Sequence, residues 1–207
     1  MKQNKEVRII GVTGGIGAGK SEILSYIKKH YNCRIYLADE VAHKVKEVGQ
    51  EAYEPLVELL GRDVLDTDGS INRERMAQKI FADNQVLFQV NEIVHPAVRR
   101  FVEQAIADAK EKKDIELLFI EAALLIEAGY ETIVDELWYI YATIDVRTKR
   151  LMENRGYSLK KVQSIIEKQL SEEEFKAHAH FVIDNSGELA KAYEQIDDKL
   201  EGYTWLD

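Results

Sequence analysis

Gly14-Gly15-Ile16-Gly17-Ala18-Gly19-Lys20-Ser21 decides how the rest of the chain reads. Its spacing is G-x-x-x-x-G-K-[ST], the pattern of a phosphate-binding loop. An apolar run, Arg8 to Val12, precedes it and reads as a strand. A helical pattern, Ser21 to His30, follows. The unit is therefore strand, loop, helix, the setting this motif requires. Glycines let the backbone curl until successive N–H groups point inward at phosphate oxygens. Gly15, Ile16, Gly17, Ala18 and Gly19 are the residues expected to form that cradle. A helix beginning near Lys20 adds the positive end of its dipole. Lys20 is expected to reach the β- and γ-phosphates of ATP, and the Ser21 hydroxyl to sit on magnesium. A dinucleotide fingerprint needs glycines at i, i+2 and i+5. The glycines at 11, 14, 15, 17 and 19 contain no such triple, which disfavours dinucleotide binding.

Outward from the loop, nearly continuous apolar runs alternate with helical patterns. Val7 to Val12, Cys33 to Leu37, Ile115 to Ile120, Leu137 to Ala142 and Phe181 to Ile183 read as strands covered on both faces. Lys20 to His30, Pro96 to Lys113, Arg147 to Arg155 and Glu188 to Gly202 read as helices. This alternation predicts an α/β fold of three layers around a parallel five-stranded sheet. The stretch between Leu37 and Ile115 is too long for one crossover. Asp39 to Val48, Glu54 to Leu60, Arg73 to Phe81 and Pro96 to Lys113 fill it with helix. The expected division is one chain with a core of about 1–38, 114–150 and 178–207. A helical acceptor-binding insertion takes about 39–113 and a charged helical lid about 151–177.

Composition narrows the function. The chain has 207 residues, 45% hydrophobic and 31% charged, which suits a folded globular protein. A formal net charge of −9 disfavours nucleic acid as a partner. The single cysteine, Cys33, excludes an intrachain disulfide and fits a reducing compartment. The opening MKQNKEVRIIGVTGG lacks the features of a signal peptide, and no apolar run is long enough to span a membrane. A cytoplasmic monomer or weak homo-oligomer acting on small molecules is expected. The guanine-reading Asn-Lys-x-Asp segment is missing; Asn4-Lys5-Glu6-Val7 lacks the aspartate and precedes the loop. A short chain with a phosphate loop, a helical insertion and a lid suits a small-molecule kinase. Such an enzyme must hold its acceptor and exclude water, which would otherwise take the phosphoryl group. Glu121, at the end of the third strand, has two readings: a carboxylate assisting magnesium through water, or a cap for the next element.

The string from Ile10 to Ser21 resembles the start of the dephospho-coenzyme A kinases, where T-G-G-I-G-S-G-K-S is typical. Ala38-Asp39-Glu40-Val41-Ala42 is similar to their D-A-D-x-x-A segment. Asp68-Gly69-Ser70-Ile71-Asn72-Arg73 with Ile80-Phe81 resembles D-G-x-I-x-R…(V/I)-F, and Ile93-Val94-His95-Pro96 resembles L-x-H-P. Leu124-Leu125-Ile126-Glu127 is similar to the end of P-L-L-F-E. Arg150, Gln169 and Val182 to Gly187 fit a lid arginine, a later glutamine and V-I-D-N-x-G. The ordered set covers residues 7 to about 190. The resemblance implies transfer of the ATP γ-phosphoryl group to the ribose 3′-hydroxyl of dephospho-coenzyme A, with ATP and Mg2+ required. Asp39, beyond a strand end and beside the loop strand, would be the general base or orienting carboxylate. Its other reading is an N-cap of a helix Glu40 to Val48. His95 either lines the acceptor pocket or packs ahead of a proline that starts a helix. Leu124 is placed at the acceptor. Arg150 is expected to bridge phosphate oxygens.

The sequence also departs from that pattern. Leu37 replaces the first aspartate of D-A-D, Ala123 the proline of P-L-L, and His180 the aspartate of A-D-x-V-I-D-N. Asn154 stands at the second lid arginine, with Arg155 one place later. Two alternatives follow: a kinase for another nucleotide or nucleoside, or a nucleotide-binding regulatory paralogue without transfer activity.

Overall fold

The computed structural model describes residues 6–203. The ends of the expected core, and Asn4-Lys5, lie outside the described residues. In chain order the elements begin with β1 (Arg8–Thr13), α1 (Lys20–His30), β2 (Cys33–Leu37), α2 (Ala38–Lys44), α3 (Tyr53–Leu60), α4 (Arg73–Ala82) and α5 (Asn84–Lys112). Then come β3 (Leu117–Glu121), β4 (Glu136–Tyr141), α6 (Ile144–Arg155), α7 (Leu159–Ile166), α8 (Glu172–His178), β5 (Phe181–Asp184) and α9 (Leu189–Glu201). The five strands form one sheet in the order β2-β3-β1-β4-β5, with β1 parallel to β3 and β4 and β4 parallel to β5. The α/β class and the five-stranded parallel sheet expected from the sequence are borne out. One placement is corrected: β2 is not beside β1, because β3 lies between them. The long connection α2–α5 returns the chain one strand width inside β2.

Two compact units are present: residues 6–35 with 109–203, and Tyr36–Asp108. The first owes its core to the apolar runs. Ile9, Ile10, Leu117 to Ile120 and Leu137 to Ile140 are all buried, as strands covered on both faces require. Its register sets Gly11 against Ile120 and Leu137, so β1 delivers the loop at the centre of the sheet. The second unit has its own cluster, in which Val41 and Val45 meet Leu56, Leu60, Met76, Val90, Val94 and Val98.

The helix expected from Pro96 instead begins twelve residues earlier and carries Pro96 in its interior. An interior proline removes one backbone hydrogen bond and costs about 3 kcal/mol. The apolar stripe Val90, Val94, Ala97, Val98 runs through it and is buried. Burying three valines contributes roughly 1.5–3 kcal/mol each, which outweighs the proline. The sequence rule that proline starts helices loses here to tertiary packing.

At the start of β4 the buried Glu136 carboxylate accepts bonds from Arg8 Nη2 (2.6 Å), Trp138 Nε1 (3.1 Å) and Tyr203 Oη (2.8 Å), with Lys199 Nζ at 3.1 Å. Burial alone would raise its pKa, but these four donors outweigh burial and hold it at about 2, against an ordinary 4.5. A carboxylate depressed on folding stabilises the fold above its ordinary pKa and loses that contribution as pH falls through the folded value. Glu136→Gln is therefore expected to be less stable than wild type at neutral pH. The difference should shrink between pH 4.5 and about 2, as read by urea denaturation across that window.

Candidate active site

The loop leaves β1 at Thr13 and enters α1 at Lys20, turning on Gly19 at φ 93°. That left-handed conformation favours glycine, and a Cβ there would also overlap the Asn185 amide. Lys20 Nζ donates to the Gly14 carbonyl at 2.8 Å and lies 3.4 Å from Glu121 Oε1. Both side chains are only 15% exposed, so this ion pair is largely removed from water. The end of β3 thus sets a carboxylate beside the loop lysine. Ser21, the second residue of α1, is exposed.

Helix α6 closes on the same loop through two arginines one turn apart. Arg147 Nε donates to the Ile16 carbonyl at 2.9 Å, and its Nη2 donates to Gln169 Oε1 at 2.6 Å. The same glutamine oxygen accepts the Ile16 N–H at 3.0 Å. Ile16 is therefore held at its N–H by Gln169 and at its carbonyl by Arg147. Arg147 is buried, and burial lowers its pKa. Its guanidinium occupies the space a Cβ at Gly15 would take, so a larger residue there must displace it from its bonds to Ile16 and Gln169. Arg150 Nη1 donates to the Ala18 carbonyl (3.3 Å) and Nη2 to the Asn185 carbonyl (2.9 Å). Asn185 Nδ2 donates to Ala18 as well, at 2.8 Å. Lys20, Arg147 and Arg150 gather positive charge at one loop of an acidic chain, the electrostatics a polyphosphate needs.

The first unit therefore brings together Gly15 to Ser21, Lys20 and Arg150, the expected nucleotide residues. The sequence reading missed the parts of Arg147 and Asn185. The signal for Arg147 was its position three residues before Arg150, on one helix face. Leu124 is 56% exposed in the turns after β3. Since turns and not a helix follow Glu121, the capping alternative for Glu121 loses its helix.

Asp39 and His95 belong to the second unit, and both are exposed. The capping alternative for Asp39 is corrected: the N-cap of α2 is Leu37, which makes no side-chain cap, and Asp39 lies inside the first turn. Leu37 stands where the D-A-D pattern has an aspartate, so this helix forgoes a cap of about 0.5–2 kcal/mol. His95 does not precede a helix start, because α5 already runs through it. His180, in place of another aspartate, keeps an acceptor: its Nδ1 takes the Leu137 N–H at 3.1 Å.

Arg155 ends α6 exposed, while Arg150 bonds the loop. Arg150→Ala is expected to lower kcat for phosphoryl transfer about tenfold or more, an effect of a charge-assisted contact. Arg155→Ala should change it less than about twofold, under 1 kcal/mol in the barrier. Steady-state kinetics on the two variants checks both.

A parallel sheet whose central strand delivers a lysine-bearing phosphate loop, with arginines of α6 bonded to that loop, defines a P-loop phosphotransferase. The family model described as Dephospho-CoA kinase matches residues 8–191. The chain belongs to the dephospho-CoA kinase family. The dephospho-CoA kinase of Carboxydothermus hydrogenoformans is 33% identical over 199 residues, 96% of each chain. The crystal structure of TT1252 from Thermus thermophilus is similar with a TM-score of 0.75 and 27% identity, covering 96% of this chain and 99% of the other. Dephospho-CoA kinase from Campylobacter jejuni shares the fold at a TM-score of 0.71 and 21% identity, over 93% and 95% of the two chains. The family is one of phosphotransferases with an alcohol acceptor, so ATP is a substrate. Among the described residues no helix is long and apolar enough to cross a membrane.

Proposed function

We propose that the chain transfers the γ-phosphoryl group of ATP to the ribose 3′-hydroxyl of dephospho-CoA in the cytoplasm. The products are CoA and ADP, and the reaction is the last step of CoA synthesis. What supports the reading is an intact phosphate loop inside a family match running from residue 8 to 191. Backbone N–H groups of the Gly15 to Ser21 loop bind the phosphates, apart from those of Ile16 and Ala18, which already bond Gln169 and the Gly15 carbonyl, and Lys20 neutralises charge on the transferring group. Arg150 exchanges its loop carbonyls for phosphate oxygens when residues 151–177 close as a lid. Closure excludes water, which would otherwise compete with the acceptor. Asp39 takes the proton of the attacking hydroxyl or orients it. His95 and Leu124 contact the acceptor.

The donors near Lys20 suit magnesium carried in by the nucleotide. One hydroxyl, Ser21, and one carboxylate, Glu121, match an ion that keeps phosphate oxygens and water for the rest of its shell. No group of three or more His, Cys, Asp or Glu arranged to hold a metal exists among the described residues, consistent with an ion that arrives with ATP. Ser21 would hold the ion directly and Glu121 through water, and the ion would offset charge on the β- and γ-phosphates.

The test is ADP release from ATP with a panel of acceptors: dephospho-CoA, adenosine, and other nucleosides and nucleotides. Dephospho-CoA is expected to give the highest kcat/KM. A higher value for another acceptor overturns the assignment.

A further inference from the structure

We propose that His43, Lys46 and Arg73 form an anion-binding cluster in the second unit that receives the diphosphate of the acceptor. The proposal rests on the acceptor reading above. The three residues come from α2, the turn after it and the first residue of α4. Those elements share one core, where Val41 and Val45 pack with Met76. The Lys46 N–H donates to the His43 carbonyl at 3.2 Å, so the turn folds Lys46 back beside His43.

Three other cations of the unit have acidic partners, Arg75 with Asp66, Lys79 with Asp63 and Arg100 with Glu51, and Lys44 lies over the Phe101 ring at 4.9 Å. Among the described residues no ion pair joins Lys46 or Arg73 to a carboxylate. Instead these like charges press on one another. Burial, then the charge of Arg73, lowers the Lys46 pKa. Burial, then Lys46 and Arg73, lowers that of His43, while Asp39 raises it. A half-buried lysine within range of an arginine's charge is unfavourable unless an anion joins them, since opposite charge restores what desolvation and repulsion remove. A diphosphate supplies two charged groups and several acceptors, enough for an ammonium, a guanidinium and an imidazole N–H.

The place of Asp39 fixes which end of the acceptor lies here. Asp39 and His43 are four residues apart on α2, a rise of about 6 Å, and the charge of Asp39 is felt at His43. In dephospho-CoA the ribose 3′-oxygen and the 5′-diphosphate are separated by only a few covalent bonds. A ribose hydroxyl at Asp39 thus sets the diphosphate one helical turn on, at the cluster. The cluster acts as a specificity device: it favours an acceptor with a 5′-diphosphate over a bare nucleoside.

The experiment compares the full chain with Lys46→Met, Lys46→Arg and Arg73→Gln. Methionine keeps the length and apolar stem of lysine without its charge. At saturating ATP, KM for dephospho-CoA should rise about tenfold or more in Lys46→Met and Arg73→Gln, the effect of one lost charge-assisted contact. Lys46→Arg should stay within about threefold of wild type, and KM for ATP at saturating acceptor should move less than about twofold in all three. An acceptor KM unchanged in both charge-removing variants overturns the cluster, and so does a parallel rise in KM for ATP, which would mark general damage. If wild type does not phosphorylate dephospho-CoA at all, the functional reading fails first and the cluster falls with it, an outcome visible before any variant is made.

Discussion

Lys20→Ala is expected to remove nearly all phosphoryl transfer, lowering kcat by about 10³-fold or more while the chain stays folded. A single preorganised donor at developing charge contributes about 10²–10³ in rate, and two features of this loop raise the cost. Lys20 carries a full charge, and its ammonium lies 3.4 Å from the Glu121 carboxylate. Removing it leaves that carboxylate, only 15% exposed, uncompensated where the proposed reaction brings the γ-phosphate. The variant therefore loses attraction and gains repulsion. The fold should tolerate the change, because the Lys20 head group meets only the Gly14 carbonyl and the Glu121 carboxylate and the core beneath it is apolar. A thermal unfolding midpoint within a few degrees of wild type is expected, read by circular dichroism beside steady-state kcat. Retention of more than about a tenth of wild-type kcat would show that Lys20 does not meet the transferring group.

What could be read from the sequence follows from the range of each interaction. The loop and its flanking strand and helix were legible because glycine conformation, helix dipole and lysine reach are local. α1 begins at Lys20 as expected. The strand order was not legible: β3 enters between β2 and β1 only after seventy-nine intervening residues, and nothing near Leu37 encodes that. Pro96 misled for a similar reason. Local rules start a helix there, while the stripe from Val90 to Val98 carries the helix through. Arg147 was visible only as the first residue of an expected helix. Its role depends on Gln169 and Ile16, distant in sequence, which meet it at one carbonyl and one side-chain oxygen. Asn185 was visible as part of a pattern, but its bond to Ala18 spans nearly the whole core. Long-range polar contacts of this kind leave no periodic trace in the chain.

Asp39→Asn is expected to slow transfer by about 10²- to 10⁴-fold, as loss of a positioned base does, with KM for ATP nearly unchanged. The structure sharpens this test. Because Leu37 and not Asp39 occupies the N-cap of α2, the substitution removes no cap. What helix stability is lost comes from one negative charge in the first turn, about 0.3–1 kcal/mol. Asparagine keeps the size of the side chain and its ability to accept a hydrogen bond, so orientation by hydrogen bonding alone would leave much of the rate. Only the capacity to take a proton and the negative charge disappear. A second readout separates chemistry from disturbance of the helix. The charge of Asp39 raises the His43 pKa against the pull of burial, Lys46 and Arg73. In the asparagine variant that support is gone, and the His43 imidazole should titrate at lower pH in an NMR titration. A variant that shows the His43 shift and slow transfer has an intact α2 and a missing base. Near-normal turnover together with the His43 shift would mean that the Asp39 charge is present but idle, and the base would have to be sought elsewhere.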